Sequence, residues 1–161
     1  RGVEEIFEVA AHHQDVMFLM VGGLKEDVTW RKEQAEELEL KNVCFTGFAP
    51  HALIPKYQKS ADMLLMPYGA KLNTRDIFSP LKLFEYMAAG APIIASQFPI
   101  LKEILGERAL WLEPSNVEDF IGSVEDVKTG NYDTNIVENN LQAVLRYSWR
   151  NRAKAILAKF K

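Results

Sequence analysis

Lys82 and Glu85 stand three residues apart, behind Ser79-Pro80, in the run F-S-P-L-K-L-F-E-Y-M-A-A-G-A-P-I-I-A-S-Q at residues 78–97. Ser79 is an N-cap type, and Pro80 suits the first helical position, where its missing N–H costs nothing. The run therefore predicts a helix that starts here and carries Ser79, Lys82 and Glu85 on one stripe. A helix N-terminus offers unpaired N–H groups and a partial positive charge, which together attract an anion such as phosphate. Lys82 would add an ammonium in the first turn, and Glu85, one turn on, could accept two hydrogen bonds from a diol such as ribose. Amides, ammonium and carboxylate in a row suit a nucleoside diphosphate. The same two side chains also make an ordinary i,i+3 surface pair worth about 0.3 kcal/mol, and spacing alone does not choose between the two.

The elements that must position these groups follow from the patterning. Leu81, Phe84 and Ala88 form the stripe expected to face a core; Gly90 and Pro92 stop the helix, and P-I-I-A-S continues as a buried strand. Upstream, Val3, Ile6, Phe7 and Ala10 predict an amphipathic helix ending near His12-His13, read as a solvated helix end. Residues 16–21 form an apolar run, as in a central parallel strand covered on both faces, closed by Gly22-Gly23. Those glycines permit either a plain tight turn or close approach of backbone to a ligand. Val28 to Leu40 reads as a charged surface helix ended by Lys41-Asn42, and Val43-Cys44-Phe45 as the next strand, closed by Thr46-Gly47-Phe48. A short helix at Pro50 to Lys59 and an apolar strand at Met63 to Pro67 follow. The polar loop 68–77, containing Arg75 and Asp76, should edge the crevice, with Arg75 meeting either a phosphate or water. After the central run come a short helix at Phe98 to Leu105, a strand at Ala109 to Leu112, and a helix over Val117 to Val127 capped by Ser115 or Asn116. Helices at Asp133 to Tyr147 and Trp149 to Phe160 complete the chain. Strands alternating with helices imply an α/β doubly wound fold with a mostly parallel sheet, because parallel strands need crossover helices.

Bulk composition narrows the function. The 161 residues suit one domain, and 48% hydrophobic with 25% charged residues is globular rather than disordered. A formal net charge of -3 argues against a nucleic-acid partner, so any anion site is local. No apolar run reaches membrane-spanning length. The single Cys44 forms no internal disulfide and no Cys or His spacing suggests a metal site, which points to a reducing, cytoplasmic setting.

The segment S-P-L-K-L-F-E-Y-M-A-A-G-A-P-I-I-A-S closely resembles the donor-binding segment of retaining GT-B glycosyltransferases, in particular glycosyltransferase family 4. The resemblance implies that Glu85 binds the ribose of a nucleotide-sugar donor, UDP- or GDP-linked, and that Gly22, Gly23, Lys25, Ser79, Pro80, Leu81 and Lys82 approach its diphosphate. Phe48, in a region like the family's F-x-G-F, would contact the base. A second glutamate common in the family falls here on Ile77; Asp76 is the nearest carboxylate, one residue out of register. Glu103 matches a family glutamate, but Phe98-Pro99 replace the preceding glycines, which makes it a surface or capping carboxylate. No nucleophile is assigned, and the family needs neither metal nor other cofactor. Arg1-Gly2 opens without methionine and resembles the helix after the family's first C-terminal-domain strand, so the chain reads as the C-terminal half of an enzyme. By the same resemblance, one strand and an N-terminal acceptor domain lie upstream, Trp149 packs partly on that domain, and the full-length enzyme can associate peripherally with a membrane. The fragment alone would be inactive. The competing reading is a non-catalytic nucleotide-binding or interaction module of the same fold; a GT-B epimerase or phosphorylase is more distant.

Overall fold

The computed structural model describes residues 2–70 and 81–160. The elements alternate: α1 (Val3–His12), β1 (Phe18–Val21), α2 (Lys25–Glu37), β2 (Val43–Gly47), a 3-10 turn (His51–Leu53) running into α3 (Ile54–Lys59), and β3 (Leu64–Met66). They continue with α4 (Leu81–Met87), β4 (Ile93–Ser96), α5 (Pro99–Leu105), β5 (Leu110–Leu112), α6 (Val117–Thr129) and α7 (Asn135–Val144). A 3-10 turn (Leu145–Tyr147) then leads into α8 (Trp149–Ala158). Among the described residues every pair of named strands is parallel, in the orders β1-β2 and β3-β4-β5, with one isolated antiparallel bridge between Gly22 and Gly47. The α/β expectation holds, with the strands divided between two sheets.

Two apolar layers sandwich the strands. On β4, Ile94 points into a cluster with Ile6, Val9 and Ala10 of α1, Phe18 of β1, and Phe120 and Val124 of α6. Its neighbours Ile93 and Ala95 point the other way, against Leu83 and Met87 of α4 and Leu101 and Leu105 of α5. Alternation along a strand buried on both faces produces this division. All four β4 residues are buried accordingly.

β1 departs from the expectation of a doubly covered strand. Phe18 is buried, whereas Leu19 is 46% and Val21 36% exposed. One face of β1 packs on α1 and α6, and the other lacks a complete cover. The α2 helix begins at Lys25, three residues before the expected start, because the backbone turns at Gly22 (φ 97) and Gly23 (φ 107) and enters the helix directly. Gly23 has a packing reason as well: a Cβ there would come within 2.8 Å of the Val28 side chain.

Two polar side chains anchor α1. Asn42 is buried, and its Nδ2 donates to the carbonyls of Ala10, His13 and Val16, each at 2.9 Å. These include carbonyls that the end of a helix leaves without partners. His13, expected in water, is buried instead, with Nε2 donating to Ile121 O at 3.0 Å. Packing of α6 across the end of α1 covers its ring, while His12 stays exposed.

Candidate functional site

Parallel strands of one sheet bring their C-terminal ends to one edge, which β1 and β2 share in their sheet and β3, β4 and β5 share in theirs. Gly22, Gly23 and Lys25 follow β1, Phe48 follows β2, and Tyr68 follows β3. Gly22 N–H donates to Gly47 O at 3.0 Å and lies 3.3 Å from Thr46 Oγ1, which ties the first two loops together. The first turn of α2 has no side-chain cap. Lys25, its first residue, is exposed, and Phe48 is 86% exposed.

The β3 exit is more tightly held. Tyr68 N–H donates to Ser96 Oγ at 2.7 Å, and the hydroxyl donates back to Tyr68 O at 2.9 Å. The Tyr68 ring stacks on Phe98, with centroids 6.3 Å apart. Lys82 Nζ lies 5.6 Å from the Tyr68 ring and 5.5 Å from the Tyr86 ring, within cation–π range of both. The ammonium is thereby held next to the β3 exit. Burial, reinforced by Tyr68 and Glu85, pushes the Tyr86 hydroxyl up to about 12, so it stays protonated at neutral pH.

The polar stripe expected on α4 is only partly described. Ser79 and Pro80, with Arg75, Asp76 and Ile77, lie outside the described residues. The apolar stripe is corrected in part: Phe84 packs against the core as expected, but Leu83 and Met87 are the residues buried in it, while Leu81 is 61% exposed and Ala88 also faces out. Apolar residues at 81, 83, 84, 86 and 87 wrap most of this short helix, so periodicity left its phase open. In the observed phase Glu85 is half-buried and accepts a hydrogen bond on Oε2 from Gln58 Nε2 of α3, at 3.0 Å.

Glu85 and Leu81 line a cavity of about 530 Å³ together with His51 and Phe84. That is within the range of small-molecule sites. Its remaining wall comes from the chain's end: Arg146, Tyr147, Trp149, Asn151, Arg152 and Ala155. Tyr147 packs on Phe84 with ring centroids 5.0 Å apart, and the Arg152 guanidinium lies 5.5 Å from the Trp149 ring. Gly22, Gly23, Lys25, Phe48 and Lys82 do not line this cavity.

Gln58, Tyr68, Arg146, Tyr147, Asn151 and Arg152 were not singled out from sequence, whereas Trp149 was, as a residue packing on an upstream domain. Tyr68 did carry a signal, as an aromatic residue directly after a strand. Gln58 carried none, because its role depends on the docking of α3 against α4. Among the described residues no group of three or more His, Cys, Asp or Glu could hold a metal ion, and no helix is long and apolar enough to cross a membrane.

Comparison with known proteins places this arrangement. The profile of the family described as "Glycosyl transferases group 1" matches residues 1–143. A Bacillus subtilis (strain 168) protein, TuaH, named provisionally as a teichuronic acid biosynthesis glycosyltransferase, is 31% identical over 147 residues. That match covers 89% of this chain and 36% of TuaH, so the chain spans little more than a third of that relative. Among solved structures, a sucrose-phosphate synthase from Thermosynechococcus elongatus superposes with a TM-score of 0.79 at 21% identity, over 99% of this chain and 41% of the synthase. Anabaena HepE in complex with UDP gives a TM-score of 0.71 at 19% identity, over 98% of this chain and 45% of HepE. These last two establish the fold, which is that of GT-B Rossmann-like domains. On the family match across most of its length, the chain belongs to the glycosyl transferases group 1 family.

Proposed function

We propose that this domain binds the donor of a retaining glycosyltransferase, which moves a sugar from a UDP- or GDP-sugar to an acceptor glycan, lipid or small molecule. The observation that carries the reading is Glu85, tethered by Gln58 and facing a cavity of nucleoside size. Oε2 is held by the amide of Gln58, and a carboxylate has lone pairs to spare for a ribose diol. Lys82, Ser79, Pro80 and Leu81 then meet the diphosphate from α4 and the residues before it. Gly22, Gly23 and Lys25 meet it from the β1 exit, and Phe48 lies against the base. Because Gly22 N–H is engaged by Gly47 and Thr46, the donors on that side are the uncapped amides of the first turn of α2 and the Lys25 ammonium. Positive groups there stabilise the charge that grows on the leaving diphosphate. The HepE structure contains UDP in a chain of the same fold, which supports a nucleotide ligand here.

In this reading the chain is the C-terminal half of a cytoplasmic enzyme that needs no metal, whose acceptor is held mainly by an N-terminal domain, with peripheral contact to a membrane. Sugar transfer requires both halves. Calorimetric titration with UDP, GDP and ADP, on the natural chain and on Glu85→Gln, tests the donor site. Selective binding weakened about tenfold or more by the substitution is expected, since a charge-assisted hydrogen bond is at stake. Equal affinity of the two proteins would remove Glu85 from the site.

A further inference from the structure

We infer that the C-terminal wall of the Glu85 cavity reads the nucleobase through Arg152 and Asn151, and that it selects guanine, so that the donor is a GDP-sugar. The inference rests on the donor reading proposed above and deepens it. With a ribose held on Glu85, two groups leave that ribose in different directions, the diphosphate and the base. The groups assigned to the diphosphate at the β1 exit, Gly22, Gly23 and Lys25, do not line the cavity, and neither does Lys82. The space of about 530 Å³ beside Glu85 therefore falls to the base. Phe48 offers a base only a ring face, on which every base can stack, so discrimination has to come from polar groups that line the cavity.

The chain's end supplies those groups. Residues 139–161 hold six Lys or Arg and no Asp or Glu, and Glu85 is the one carboxylate among the described residues that line the cavity. The Arg152 guanidinium lies 5.5 Å from the Trp149 ring, a cation–π contact that holds its fork in place. It makes no hydrogen bond or ion pair among the described residues, which leaves its N–H groups available. Asn151 is fixed as well. Ser148 Oγ accepts from its backbone N–H at 3.3 Å, and its Nδ2 donates to Leu145 O at 3.0 Å, which leaves Oδ1 as an acceptor. The wall thus presents a donor fork on one residue and an acceptor on the residue before it.

Guanine is the base that complements this pair. Its O6 and N7 are adjacent acceptors that a guanidinium fork meets with two hydrogen bonds, while its N1–H and N2 amine donate to an acceptor such as Oδ1. Adenine sets the N6 amine beside N7, so one N–H of the fork would point at another donor. Uracil carries O4 and O2 on either side of N3–H, so the fork keeps one bond where guanine gives it two. A good two-bond contact of this kind discriminates about tenfold or more against the wrong base.

Titration of the full-length protein with GDP, UDP, ADP and 7-deaza-GDP, on the natural sequence and on Arg152→Gln, tests this. The natural protein should bind GDP at least about tenfold more tightly than UDP, ADP or 7-deaza-GDP, which lacks the N7 acceptor. Arg152→Gln exchanges the fork for an amide that suits adenine N6 and N7, so the ratio of GDP to ADP affinity should fall at least about tenfold. A purely structural Arg152 would lower all four affinities together and leave their ratios unchanged, and that result would overturn the inference. UDP or ADP binding the natural protein as tightly as GDP would overturn it too. In both cases a loss of nucleotide affinity in Glu85→Gln would leave the donor reading standing. Absence of binding by any of the four nucleotides would remove the donor reading and this inference together.

Discussion

Asn42→Ala should cost this domain far more stability than a single surface amide ordinarily would. The two Nδ2 hydrogens serve three carbonyls at 2.9 Å, on Ala10, His13 and Val16. Of these, His13 O also accepts from Val16 N–H at 3.0 Å and keeps a partner after the substitution. Losing two buried hydrogen bonds at about 1 kcal/mol each, and stranding a buried carbonyl at about another 1 kcal/mol, gives roughly 3 kcal/mol. For a chain of this length that corresponds to a fall in Tm of roughly 6–12 °C. Urea unfolding would read the change as a lower midpoint at constant slope. Asn42→Asp is the sharper variant. It keeps the shape but sets a carboxylate with no donor against the same three oxygens, so it should be less stable than Asn42→Ala at neutral pH. Acidification should narrow that gap, as the protonated carboxyl regains one donor. A cost below about 0.5 kcal/mol for Asn42→Ala, or an Asp variant at least as stable as the Ala one at pH 7, would refute this account of how α1 is anchored.

Three further outcomes follow from the packing. Gly2→Ala should destabilise by at least about 2 kcal/mol in thermal unfolding, because its φ of 72 is left-handed and its Cβ would collide with Pro67 O. Stability should fall as pH rises from the ordinary tyrosine value of 10.0 through about 12, since the folded state holds the Tyr86 hydroxyl protonated while the unfolded chain ionises first. The Tyr86 contribution is present in full below pH 10 and amounts to roughly 3 kcal/mol, and this pH dependence should be missing from the urea midpoints of Tyr86→Phe. Gln58→Leu, by releasing Glu85, should weaken nucleotide binding about three- to tenfold in titration while leaving the Tm within a few degrees.

Local chemistry made much of this molecule legible in its sequence. Gly90 and Pro92 ended α4, Gly22-Gly23 ended β1, and Asn116, one of two caps considered, accepts from Asp119 N–H. The failures are positions where distant packing decides. The phase of α4 was set by a core that takes Leu83 and Met87, and no periodicity in a helix so evenly apolar could select it. His13 was buried by α6, more than a hundred residues away in sequence. β1 was read as fully covered from its unbroken apolar run, whereas Leu19 and Val21 lie in the open. Among the described residues β1 pairs with β2 alone. At the site, Lys82 and Glu85 were legible as chemistry, but the Tyr68 and Tyr86 rings and the Gln58 amide that position them were not.

The central claim is that the Glu85 carboxylate holds a ribose diol, and a double-mutant cycle between protein and ligand tests it most directly. Affinities of UDP and 2′,3′-dideoxy-UDP would be measured on the natural chain and on Glu85→Gln. The account predicts that removing the hydroxyls costs about 1.5–3 kcal/mol with Glu85 present and little without it, a coupling above about 1 kcal/mol. Additive losses, with the dideoxy nucleotide penalised equally by both proteins, would contradict it.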